Sequence, residues 1–205
     1  MNISQINRVD EIVKASLTHS MNYEQYREKV KDLVAQQATS GEDQSEDRVN
    51  FTVLNDRRMK RWDKTIKVPQ DIQEAVAKFQ TKVTWLVITE SWCGDAAHVV
   101  PAINKVAELN DNISLKLVFR DENEALMDEF LTNGGRSIPK LIMVEDTTGE
   151  VVSTFGPRPE AATQLVEAYK AEHGALTPEF KEELQVWYNT DKGQSVISDL
   201  VRLLL

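Results

Sequence analysis

The run Val83-Thr84-Trp85-Leu86-Val87-Ile88 constrains this chain more than any other stretch, because polar residues follow it abruptly and the pattern beyond them is helical. An apolar run of this length, bounded by a turn, reads as a strand covered on both faces. Ser91-Trp92-Cys93-Gly94-Asp95-Ala96-Ala97-His98 comes next and holds the only cysteine of the 205 residues. A strand, a cysteine-glycine turn and a helix in succession place that thiol at a helix N-terminus. There the unpaired N–H groups and the helix dipole favour a thiolate.

From residue 83 onward strands and helices alternate, which is the signature of an α/β sandwich. A helix over about 95–110 would bury Val99, Ile103, Val106 and Leu109, with Pro101 kinking it. Ile113, Leu115, Leu117 and Phe119 alternate with Ser114, Lys116 and Val118 in a second strand. A helix carrying Leu126, Met127, Phe130 and Leu131 follows, and Asn133-Gly134-Gly135 ends it. Residues 141–144 and 151–155 then read as a hairpin turning at Asp146-Thr147-Thr148-Gly149. Pro159 opens a helix with Leu165, Val166 and Tyr169 facing inward.

Both flanks read as helical. Ile6, Val9, Ile12 and Val13 make one amphipathic stripe, and Tyr23, Tyr26, Val30, Leu33 and Val34 make another. Residues 38–47 are polar and acidic and read as a loop. Phe51, Leu54 and Trp62 suggest a buried stripe on the next helix, whose basic run Arg57, Arg58, Lys60 and Arg61 is expected to be a solvated face. Pro69 sits at the first turn of a helix carrying Ile72, Val76 and Phe79. After Gly174, Thr177-Pro178 starts a helix with Phe180, Leu184 and Trp187 inward, and Gly193 separates it from a last segment built on Val196, Ile197, Leu200, Val201 and Leu204. The expected organisation is a helical extension over 1–69, an α/β domain over 70–172, and C-terminal helices over 173–205 packed on it.

A net charge of −9 argues against a nucleic-acid or anionic-membrane partner. One cysteine excludes an internal disulfide and any two-cysteine metal site. His19, His98 and His173 are scattered without metal-ligand spacing. No run approaches the roughly 20 apolar residues of a membrane span, and the first residues lack a basic-then-apolar leader, so a cytoplasmic location is expected.

Trp92-Cys93-Gly94-Asp95-Ala96, with Pro101 five residues beyond Ala96, resembles the Trp-Cys-Gly-Pro-Cys site and helix proline of the thioredoxin superfamily. Ile138-Pro139 falls where that superfamily has a cis proline beside the active-site sulfur, and Gly149 and Gly156 resemble its hairpin turn and later glycine. The resemblance covers roughly 70–172. It implies a three-layer α/β/α sandwich with a mixed central sheet, here carrying extra terminal helices. It also implies Cys93 as the nucleophile, with Trp92, Gly94, Ser137, Ile138 and Pro139 lining a substrate groove whose backbone pairs with the bound chain.

Two departures bear on mechanism. Ala96 replaces the resolving cysteine, and Val87 stands where the superfamily keeps a buried acid for that cysteine. Asp95 further opposes thiolate formation through its charge. The resemblance therefore implies a monothiol oxidoreductase without a bound cofactor. It would form mixed disulfides with protein or glutathione disulfides, and glutathione or another external thiol would resolve them. The competing reading is a non-catalytic thioredoxin-fold module that binds proteins or acts like a chaperone, with Cys93 as a buried, inert thiol. His98 is expected to be a solvated helix residue, Glu90 and Ser91 strand-end polar residues, and Arg120-Asp121 a surface pair.

Overall fold

A computed structural model describes residues 3–204, with side chains from 8 to 204, so Ile6 of the first expected stripe lies outside the described side chains. Helices α1 (Ile3–Leu17), α2 (Tyr23–Ala35), α3 (Glu46–Thr65) and α4 (Gln70–Ala77) lead into strand β1 (Val83–Thr89). Then come α5 (Gly94–Ala107), β2 (Ile113–Phe119), α6 (Glu124–Glu129), β3 (Lys140–Glu145) and β4 (Val151–Phe155). Helices α7 (Glu160–His173), α8 (Pro178–Asp191) and α9 (Gln194–Leu204) complete the chain.

The sheet has the order β2-β1-β3-β4. Parallel pairing of β1 with β2 needs a crossover, which α5 supplies, while β3 runs antiparallel to both β1 and β4. The sheet is mixed and the fold is α/β and thioredoxin-like. Every residue of β1 except Thr84 is buried, as a strand covered on both faces requires. The β3–β4 turn closes through Gly149, whose φ of +75° suits glycine and whose N–H donates to the Glu145 carbonyl at 2.8 Å.

The N-terminal helices are fastened by polar contacts as well as apolar ones. Asn22 and Gln25 form a reciprocal capping box at the start of α2. The buried Arg27 pairs with Asp56 at 2.9 Å and Asp63 at 3.3 Å, joining α2 to α3. Met21 exchanges backbone hydrogen bonds of 2.8 and 2.7 Å with Leu117, which occupies part of the otherwise open edge of β2.

Four stripes differ from the sequence pattern. In α7, Ala162 and Val166 are buried and Leu165, expected inward, is exposed. In α3, Phe51 and Leu54 are exposed, and Thr52, Asn55, Met59 and Trp62 face inward. The inward face is polar at its N-terminal half because it hydrogen-bonds the turn after β1, so apolar periodicity misplaces it. In α8 the buried row is Phe180, Leu184 and Tyr188, with Trp187 only half-buried. Helix α6 ends at Glu129, leaving Leu131 outside it and exposed.

Gly156 sits where the chain leaves β4 and passes the Ile138–Pro139 segment. Its φ is +108°, and a Cβ there would lie 2.3 Å from the Pro139 carbonyl oxygen. Gly156→Ala should therefore destabilise the fold by about 3 kcal/mol, read as a lower urea midpoint. An unchanged midpoint would mean that the two segments are not pressed together.

Candidate active site

The turn after β1 is polar yet buried, so its groups need partners from elsewhere in the chain. Ser91 Oγ lies within 2.9–3.1 Å of the hydroxyls of Thr39, Ser40 and Thr52. Its carbonyl accepts from Asn55 at 3.0 Å, and its N–H donates to Ser40 Oγ at 2.9 Å. Glu90 accepts from the Ser40 hydroxyl and from the Asp121 N–H. Burial raises its pKa, while those two hydrogen bonds oppose the rise. Glu90 and Ser91, expected as ordinary strand-end residues, instead bind the 38–52 segment to the base of the turn.

Cys93 is the N-cap of α5, and its Sγ–H donates to the Ile138 carbonyl at 3.4 Å. The Ile138–Pro139 peptide is cis. Cys93, Ile138 and Pro139 are thus brought together. Trp92, half-buried, carries two guanidiniums over its ring, Arg48 4.2 Å and Arg120 5.0 Å from the centroid. Arg120 also forms the expected pair with Asp121, at 2.8 Å and partly exposed. Gly94 opens α5 beneath Gln185 and Arg58, whose side-chain nitrogens would lie 3.8 and 3.9 Å from a Cβ placed there. Arg58 is thereby drawn off the expected solvated face. Ser137 lies further out, half-buried, with its N–H donating to Gly135 at 2.8 Å.

The helix-start argument for a thiolate fails in this setting. Cys93 is only 8% exposed, and its thiol is pushed up to about 12, first by burial and then by the Asp95 carboxylate. The N–H groups of Ala96 and Asp95 and the Arg158 guanidinium pull it back, but by less. Such a thiol is ionised to about one part in 10⁵ at pH 7. Asp95 itself is held by Arg158 at 2.6 Å and by the Tyr188 hydroxyl at 2.9 Å. Burial nevertheless raises the Asp95 pKa.

His98 contradicts the solvated reading outright, being 3% exposed. Its Nδ1 accepts from the Trp62 indole N–H at 2.9 Å, so the neutral ring carries its proton on Nε2 and donates it to Gln185 at 2.8 Å. The ring stacks on Tyr188 with centroids 4.5 Å apart. Burial lowers its pKa to about 4, and Arg58 and Arg61 act in the same direction. Sequence reasoning missed Arg158, Gln185 and Tyr188. The prolines flanking Arg158 in Gly156-Pro157-Arg158-Pro159 mark a fixed turn, and Tyr188 continues the spacing of Phe180 and Leu184. Neither pattern points to Asp95.

Among the described residues no group of His, Cys, Asp and Glu could hold a metal ion, and no helix is long and apolar enough to cross a membrane.

A cysteine capping the helix after the central strand, set against the backbone before a cis proline, defines a thioredoxin fold with a single sulfur at its site. The sequence model of thioredoxin matches residues 41–170, more than half of the chain, and the chain belongs to that family. Two solved structures resemble it. One is a protein of unknown function from Pseudomonas aeruginosa, with a TM-score of 0.58, 17% identity, and coverage of 75% of this chain and 88% of that one. The other is an HIV epitope-scaffold with a TM-score of 0.56 and the same identity and coverage. At this identity they speak for the fold alone. No curated protein matches the sequence.

Two predictions follow from the electrostatics. Unfolded His98 takes up a proton near 6.5, and folded His98 only near 4. Its contribution is therefore complete above about pH 6.5 and lost as pH falls toward 4, up to about 3 kcal/mol. Denaturant titrations across that window should show a stability slope that His98→Gln lacks, whatever the variant's absolute stability. Removing the Asp95 charge should lower the thiol pKa, leaving it still above an ordinary cysteine because burial is the larger cause. The pH profile of Cys93 alkylation in Asp95→Asn measures this, and an unshifted profile would remove Asp95 from the account.

Proposed function

We propose that this protein is a monothiol thiol-disulfide exchange protein that carries its substrate as a mixed disulfide on Cys93. The observation that carries the reading is the contact between Sγ and the Ile138 carbonyl. It puts the one sulfur beside the backbone that would pair with an extended substrate chain. The Cys93 thiolate attacks one sulfur of a protein or glutathione disulfide, the S–S bond breaks, and the other sulfur leaves as a thiolate. Ala96 offers no second sulfur, and Val87, buried in β1, offers no carboxylate to activate one. An external thiolate, from glutathione or a protein, must then attack the adduct and return Cys93 as a thiolate.

The buried thiol fits slow exchange at rest, its proton passing to solvent water when the site opens to substrate. The same burial favours a second reading, a thioredoxin-fold module that binds proteins without chemistry.

Incubation with glutathione disulfide at pH 8.5, followed by intact mass, separates the two readings. Exchange predicts one glutathione on the wild type, none on Cys93→Ser, and persistence of the adduct until a thiol is added. If the folded protein stays unmodified for hours while the urea-unfolded chain is modified, exchange is refuted and the binding reading stands.

A further inference from the structure

Helix α8 reaches the Cys93 turn through side chains that the exchange chemistry does not use. The Tyr188 hydroxyl donates to Asp95 Oδ1 at 2.9 Å, and Gln185 accepts from His98 at 2.8 Å. The Gln185 amide also lies over Gly94, the residue immediately after the cysteine. All three partners belong to the first turns of α5. The opposite face of α8 is solvent-exposed, with Val186 at 63%.

The joints of α8 differ from its body. Gly174, at φ +79°, precedes it with nothing within 4 Å of where a Cβ would stand. At the other end Lys192 at φ +56° and Gly193 at φ +80° turn the chain sharply into α9. Helix α9 is rooted by Val196, Ile197, Leu200 and Val201, all buried, and Gly193 abuts Ile66 and Ala102. The chain thus has an anchored joint after α8; before it, Gly174 stands clear, while the first turn of α8 touches α7 through Thr177, 3.0 Å from the Tyr169 hydroxyl, and Phe180, stacked on the Tyr169 ring.

We propose that α8 is a lid over the Cys93 turn, latched by the Tyr188 hydroxyl on Asp95 and by Gln185 on His98, and that its release admits reagents and disulfides to the thiol. Regulation of exchange is the use this lid would have, and in that respect it rests on the proposed function. Its physical test does not, because alkylation needs no disulfide.

Tyr188→Phe removes the hydroxyl while keeping a ring to stack on His98. Iodoacetamide at fixed pH should modify Cys93 in this variant about tenfold faster or more than in wild type, the effect of losing one hydrogen bond to a charged group. Hydrogen exchange should show residues 178–191 losing protection while β1 keeps it. Asp95→Asn, which retains an acceptor for Tyr188, should keep α8 protected, so access is separated from the thiol's electrostatics. Gln185→Ala, which releases the other latch, serves where Tyr188→Phe does not fold.

An alkylation rate equal to wild type would overturn the lid. So would protection of α8 that is lost only together with that of β1. Faster alkylation without any glutathione adduct would leave the lid standing and remove the exchange reading.

Discussion

The fold depends on a polar turn that is buried at the end of its central strand. Glu90, Ser91 and Asp95 cannot be left without partners in that position, since each unpaired buried group costs about 1–3 kcal/mol and a charge costs more. The partners come from far apart in the chain. Thr39, Ser40, Thr52 and Asn55 serve Ser91, the Asp121 N–H serves Glu90, and Arg158 and Tyr188 serve Asp95. The loop before α3, α3 itself, the end of β2, the segment after β4, and α8 are thus all tied to one turn.

That enclosure decides the chemistry of the thiol. A helix N-terminus is worth about 0.3–1 kcal/mol to a nearby anion. The rise of Cys93 from 9.0 to about 12 corresponds to about 4 kcal/mol in the other direction. Desolvation wins by a wide margin, and the Asp95 charge adds to it. A free surface thiol at the same helix position would have the opposite balance. The difference lies in what packs over the turn rather than in the turn's own sequence.

The central elements were legible in the sequence because each has a local cause. The apolar run 83–88, the alternation over 113–119, the Gly149 turn, and the Cys93 to Pro139 spacing are set by residues close in sequence or by a familiar order of elements. The partners of the turn were not legible. Asn55 and Thr52 are polar residues on the inward face of α3, so the hydrophobic pattern pointed to Phe51 and Leu54, which are exposed. His98 gives no sign in sequence that Trp62 and Gln185, 36 and 87 residues away, take both its ring nitrogens. Satisfaction of buried polar groups is a long-range property, and periodicity reports only the local one.

The Asp95 cluster is a poor choice if stability alone is the measure, because an ion pair withdrawn this far from water often contributes less than apolar residues of similar volume. Its place in the structure suits a different role. Asp95 adjoins the sulfur, Arg158 comes from the segment that passes Pro139, and Tyr188 comes from a helix bounded by left-handed joints. One carboxylate therefore links the Cys93 turn, the segment beside Pro139 and α8. A substrate strand arriving at Ile138–Pro139 would meet the segment that holds Arg158. Under the proposed exchange, a shift there would loosen one of the two groups holding Asp95, which also adjoins the thiol and α8. An apolar cluster of equal volume would pack the same space without connecting those three parts.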